Sequence, residues 1–135
     1  MLPVAGDFPS HSKVVLSYPG SSTNNTPPPT LTREQAPNIV VLLHGLGDTA
    51  AKFASFGRAL NLPETVCVTV QAPLPLPAGL VDHEAFHWGD DVMLDDGSLS
   101  MDAGFQRATK LIARDIVANT LIKKHGYKLD RKSVV

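Results

Sequence analysis

Two stretches of this sequence carry residues whose types and spacing could do chemistry. Valine and leucine give way at His44-Gly45-Leu46-Gly47-Asp48-Thr49-Ala50 to a histidine, two glycines and a polar turn. From Gly45 to Ala50 it fits G-x-G-x-x-A, the pattern that lays a dinucleotide pyrophosphate against a helix start. The same turn could instead hold the oxyanion that develops when an ester carbonyl is attacked. The second stretch, His83-Glu84-Ala85-Phe86-His87, fits H-E-x-x-H, in which two helical histidines bind zinc and the glutamate acts as base.

The dinucleotide reading needs an acid at the end of the next strand to hold the ribose hydroxyls. That strand ends at Val70-Gln71-Ala72, and the nearby acid, Glu64, precedes it. The zinc reading needs a stable helix. PLPLPAG lies upstream and Gly89 two residues downstream, so a helix at this point would have barely two turns. The extended form of that motif wants glycine and histidine where Asp90 and Met93 stand, and Asp102 is an ordinary acid. Two histidines on a surface loop are the expected outcome, with no metal. Asp90, Asp91, Asp95 and Asp96 read as a solvated acidic turn.

The oxyanion reading asks for less. A glycine at position 45 lets the chain leave the strand sharply without a Cβ clash. The turn then leaves the Leu46 N–H pointing into the crevice beyond the strand ends, near a helix start whose potential favours negative charge. One such donor is worth about 3 kcal/mol to the transition state of acyl transfer. Asp48 is expected to cap or brace the loop, and His44 to brace it rather than act as the base.

Positioning that loop requires strands and helices around it. Lys13 to Tyr18 reads as a short strand, and residues 21–37, rich in Pro, Ser, Thr and Asn, as an exposed and partly disordered loop. Asn38 to Leu43 is apolar at consecutive positions, the pattern of a strand covered on both faces. Asp48 or Thr49 can cap a helix from about Ala50 to Leu60 with Phe53, Phe56 and Leu60 on one face. Thr65 to Val70 is a second buried strand. A long helix is expected from about Leu99 to Lys124, capped by Ser98 or Ser100, with Phe105, Ala108, Ile112, Ile116 and Asn119 along its inward stripe. Lys123, Lys124 and His125 complement its dipole and Gly126 ends it. Ser133-Val134-Val135 looks like the start of another strand. The division is 1–37, an amino-terminal strand and loop, and 38–135, half of an open α/β sheet.

Composition agrees with a single globular unit. The 135 residues are 43% hydrophobic, with net charge −1, which argues against nucleic acid or an anionic membrane as partner. The one cysteine, Cys67 within VCVTV, suits a reducing compartment and a packing role. No apolar run approaches the length of a membrane span, and MLPVAGDFPS does not resemble a secretory signal, so a cytosolic location is expected.

VLLHGLGDTA, VTVQAPLPLP, FHWGDD and a long helix leading to SVV together resemble the phospholipase/carboxylesterase family of α/β-hydrolases, which includes the acyl-protein thioesterases. The resemblance covers about Ile39 to Val135. It implies an α/β-hydrolase fold with a mostly parallel sheet, of which these residues make an incomplete part. It also implies a serine hydrolase of carboxylic esters or thioesters, with an acyl substrate and no cofactor. It makes the Leu46 N–H an oxyanion donor, sets Gly45 and Gly47 at the substrate, and places Leu74 and Trp88 near an acyl pocket. Two departures touch substrate preference: Gly89 follows Trp88 where an aromatic is usual, and the spacer from Pro77 to Glu84 is irregular. The serine of a G-x-S-x-G elbow is not in these residues; Gly20-Ser21-Ser22-Thr23-Asn24 comes nearest and lacks the closing glycine. The competing expectation is a non-catalytic binding module whose open sheet edge pairs with another chain, and self-association through that edge follows from either.

Overall fold

The computed structural model describes residues 1–77, 79–89 and 105–135. A four-stranded sheet forms the centre. β1 (Val14–Ser17) pairs antiparallel with β3 (Thr65–Val70), β3 pairs parallel with β2 (Asn38–Leu43), and β2 pairs parallel with β6 (Lys132–Val134). The spatial order is β1-β3-β2-β6. SVV is therefore in a strand, and the ladder runs one residue past β6, since the Val135 N–H donates to Val41 O (2.8 Å) and its carbonyl accepts from Leu43 (2.7 Å). This is the mostly parallel, incomplete α/β sheet that the resemblance implies.

The continuous apolar runs form strands because each face of the sheet is covered. Val14, Leu16, Ile39, Val41, Val66, Val68 and Val70 point to the side that also holds Leu111, Ile116, Leu121 and Tyr127. The alternate residues meet α1 (Ala50–Leu60): Val15 packs with Ala50 and Ala54. Cys67 lies on that side too, buried, where loss of hydration raises its thiol pKa.

The bounds of α1 match expectation, and the face that carries Phe53, Phe56 and Leu60 is not the one it buries. Ala50, Ala54 and Gly57 are inside, whereas Phe56 and Leu60 are 44% and 40% exposed. The stripe is turned by about 90° at 100° per residue. Close approach explains it. A Cβ at Gly57 would lie 2.9 Å from Leu42 Cδ1 and 3.3 Å from Cys67 Cβ, so only small side chains fit between helix and sheet. Phe53 and Phe56 stack on each other instead, centroids 5.4 Å apart. Asn61, left-handed at φ 46°, ends the helix ahead of Pro63.

The second helix starts as α2 (Gln106–Thr109) and continues as a π-helix over Lys110–Lys124. Its expected start near Leu99, with a Ser98 or Ser100 cap, lies outside the described residues, as do Asp90, Asp91, Asp95, Asp96 and Asp102. The buried stripe is Ala108, Leu111, Asp115, Ile116, Thr120 and Leu121. Phe105 and Asn119 are exposed. A π-helix bonds i to i+5, so Leu121 joins Thr120 below Ile116 and Asn119 falls off the stripe. The wider spacing is visible where the His125 N–H donates to Thr120 O at 3.1 Å, and the Thr120 hydroxyl reaches Asp115 O at 2.8 Å. Gly126 (φ 70°) closes the helix as expected. Lys124 and His125 turn from its end to Asp7, at 2.9 and 3.0 Å.

Residues 21–37 are more tethered than their composition suggests. Asn25, at φ 63°, accepts from Leu16 N–H through its side chain and donates its own N–H to Leu16 O, both at 2.8 Å. It thereby satisfies the outer edge of β1. Further along, the Arg33 guanidinium lies 3.4 Å from the Tyr127 ring centroid, a cation–π contact.

Candidate active site

The loop after β2 is held on three sides. First, Ala72 N–H donates to His44 Nε2 at 2.9 Å, while His44 Nδ1 contacts Gly45 O at 2.7 Å. Because the backbone amide must be the donor, Nε2 is the acceptor and the ring hydrogen sits on Nδ1, donating to Gly45 O. His44 is 2% exposed with both nitrogens engaged, so it braces the loop and has no lone pair free for a general base. Second, β4 (Leu74–Pro75) and β5 (Phe86–His87) form a small antiparallel pair that reaches the loop. Gly47 N–H donates to Phe86 O (3.0 Å) and Phe86 N–H to Asp48 O (3.2 Å). Third, the Trp88 indole donates to His44 O at 2.7 Å and its ring lies 5.2 Å from the imidazole.

The helix start completes the loop. Thr49 is the cap, accepting from Lys52 N–H at 3.2 Å, and the Asp48 carboxylate accepts from Thr49 N–H at 2.8 Å. Gln71 Oε1 takes the Ala50 N–H at 3.4 Å. Among the described residues the Leu46 N–H has no partner, like the Gly45 N–H before it, whereas Gly47, Asp48, Thr49 and Ala50 after it all donate. Leu46 itself is 48% exposed. An unpaired amide just ahead of a helix start can donate to an anion at low cost.

The conformational demand falls elsewhere than expected. Gly47 carries φ 83°, where an L-residue is strained, whereas Gly45 lies outside the left-handed region and a Cβ there would meet nothing within 4 Å. The turn depends on the second glycine.

Beside the loop, Leu43 and Trp88 on one side and Phe105, Ala108 and Ile112 on the other line an apolar cleft of about 470 Å³. Leu74 does not line it; that residue pairs with His87 across the β4–β5 ladder. Gln71 and Ala72 have bracing roles that composition alone does not reveal. Their signal is the Gln-Ala-Pro segment directly after a buried strand.

His83-Glu84-Ala85-Phe86-His87 is not helical. Phe86 and His87 form β5, so the two histidines cannot share a helix face. The surface-loop expectation holds for His83, which contacts Asp82 at 3.1 Å and Gly47 O at 3.3 Å, but fails for His87, which is buried and bonded to Gly89 O. Among the described residues no three His, Cys, Asp or Glu side chains are grouped to hold a metal.

A model of the phospholipase/carboxylesterase family matches residues 30–134. The chain belongs to that family. An uncharacterized hydrolase of Schizosaccharomyces pombe is 31% identical over 91 residues, 66% of this chain and 37% of the relative. One from Mycosarcoma maydis is 46% identical over 48 residues, 34% of this chain and 18% of the relative. The chain thus spans little more than a third of the longer match's partner. Family membership gives the braced loop its chemical context, that of ester-type hydrolases. Among the described residues no helix is long and apolar enough to cross a membrane.

Proposed function

We propose that this chain carries the oxyanion-stabilising portion of a serine hydrolase of carboxylic esters or thioesters. The observation that supports it is the unpaired Leu46 N–H in the loop that follows Leu43, a residue of the apolar cleft. In the reaction, a serine hydroxyl attacks the acyl carbon, a histidine accepts its proton, and an aspartate orients that histidine. The carbonyl oxygen becomes negative as the tetrahedral intermediate forms, and the Leu46 N–H donates to it. Gly45 and Gly47 keep the approach to that N–H free of side chains, and Trp88 borders the cleft that takes the acyl chain. No cofactor enters this scheme, and the reduced, buried Cys67 fits a cytosolic setting.

The 135 residues hold no G-x-S-x-G, so the chain alone should bind acyl groups without turning esters over. Titration of ¹⁵N-labelled protein with octanoate, the anionic product of an acyl ester, tests this. The Leu46 amide proton should shift downfield saturably at millimolar octanoate, while p-nitrophenyl ester hydrolysis stays at background. A Leu46 amide indifferent to octanoate would overturn the reading. Turnover blocked by a fluorophosphonate would show that the nucleophile has been misplaced.

A further inference from the structure

We propose that the cleft between His11, Pro73 and the helix around Lys110 is a binding site for a phosphate-class anion. It encloses about 320 Å³ and is lined by His11, Arg107, Lys110 and Arg114, with Asp115 as the one acid in its wall. Asp115 is already matched: Arg114 Nε lies 3.0 Å and His11 Nε2 3.2 Å from its carboxylate oxygens. That contact uses one donor of the Arg114 fork and leaves its terminal N–H groups available. Arg107 and Lys110 have no side-chain hydrogen bond or ion pair among the described residues. Three cations spaced along one helix face repel one another, and an anion between them removes that penalty.

Charge and shape narrow the ligand. The chain as a whole carries −1, so the positive charge is local and suits one anionic group rather than a polyanion. A phosphate brings a charge near −2 and several acceptor oxygens, against two oxygens and a single charge for a carboxylate. Two guanidinium groups and an ammonium that line one cleft can share a tetrahedral oxyanion and use that surplus. The volume leaves space for a substituent on the phosphate, so free phosphate and a phosphate monoester share the required chemistry. The site is separate from the Leu46 amide and stands whether or not the ester reading does, although Pro73 follows Ala72, whose N–H braces the loop.

Calorimetric titration of the 135-residue chain with inorganic phosphate and with glycerol 3-phosphate, at constant ionic strength, provides the test. Saturable binding is expected for at least one of them, weakened tenfold or more in an Arg107→Ala/Lys110→Ala double variant. Both residues are exposed and unpaired, so their loss should leave the fold intact. Lys128→Ala, an exposed cation outside the cleft, should bind as the parent does. Equal binding of both ligands identifies the free anion as sufficient; binding of glycerol 3-phosphate alone identifies a phosphorylated substituent as the source. The proposal is overturned if neither ligand saturates, if the double variant binds normally, or if Lys128→Ala weakens binding as much.

Discussion

The loop at His44–Thr49 and the segment at His83–His87 both present the outline of a chemical motif, and the fold treats them in opposite ways. In the first, backbone groups and the imidazole are tied to three separate segments while the Leu46 N–H is left without a partner. In the second, the spacing of the histidines is that of a helix while the backbone is irregular up to Ala85 and a strand at Phe86–His87. A motif built from backbone donors is carried by turn chemistry, which glycine and the cap residues write locally. One built from side chains on a shared helix face depends on a helix that PLPLPAG and Gly89 do not permit.

The largest effect expected from this contrast is at the two histidines that flank the loop. His44→Ala removes the acceptor of the Ala72 N–H, the donor to Gly45 O and the ring against Trp88, all in a buried site. It should cost about 3 kcal/mol in urea unfolding. His83→Ala, on the surface and bonded only to an exposed acid and a carbonyl, should stay within about 0.5 kcal/mol. Equal costs for both would mean that the buried imidazole is not what holds the loop.

What could be read from the sequence follows the same division. The bounds of α1, the strand at SVV, the bracing role of His44 and the stop at Gly126 rest on local rules, and they are where those rules put them. The inner face of α1 is not legible, because Ala50, Ala54 and Gly57 face inward only through the approach of Leu42 and Cys67 from other elements. Asn119 falls off the buried stripe because the helix widens to i→i+5 spacing, which no residue pattern in LIARDIVANT announces. Resemblance sets Leu74 in the cleft, yet its place is decided by pairing with His87. Ala72 braces His44 across 28 residues of sequence, a distance that periodicity does not reach.

A smaller effect separates the two glycines of the loop. Gly47→Ala places a Cβ on a left-handed residue and should cost about 1 kcal/mol. Gly45→Ala meets open space and, by restricting the unfolded chain, should be neutral or stabilising by up to about 0.5 kcal/mol. Thermal unfolding of the two variants decides the matter: were Gly45→Ala the more damaging, the left-handed turn could not lie at Gly47.

The smallest effect concerns acid stability, and it again pairs a tied residue with an exposed one. Asp7 is partly buried, which alone would raise its pKa; the Lys124 ammonium, the Val4 N–H and the nearby His125 outweigh that and hold its carboxyl below the usual range. Tyr18, also near it, is pushed up to about 12 by burial and by Asp7, so it does not titrate in the acid range. A carboxyl with a lowered folded pKa contributes stability that is fully present above its unfolded value of about 3.9 and is lost as the pH falls through the folded value. Asp7→Asn should therefore lower stability at neutral pH and flatten its decline below about pH 4. Asp82 beside His83 also has a lowered pKa, set first by its hydrogen bond to that histidine, but it is fully exposed and its ion pair is screened by water and salt. Asp82→Asn should leave the acid limb as it is. A matching flattening in both variants would show that the tie between Asp7 and the end of the helix carries no more weight than a surface pair.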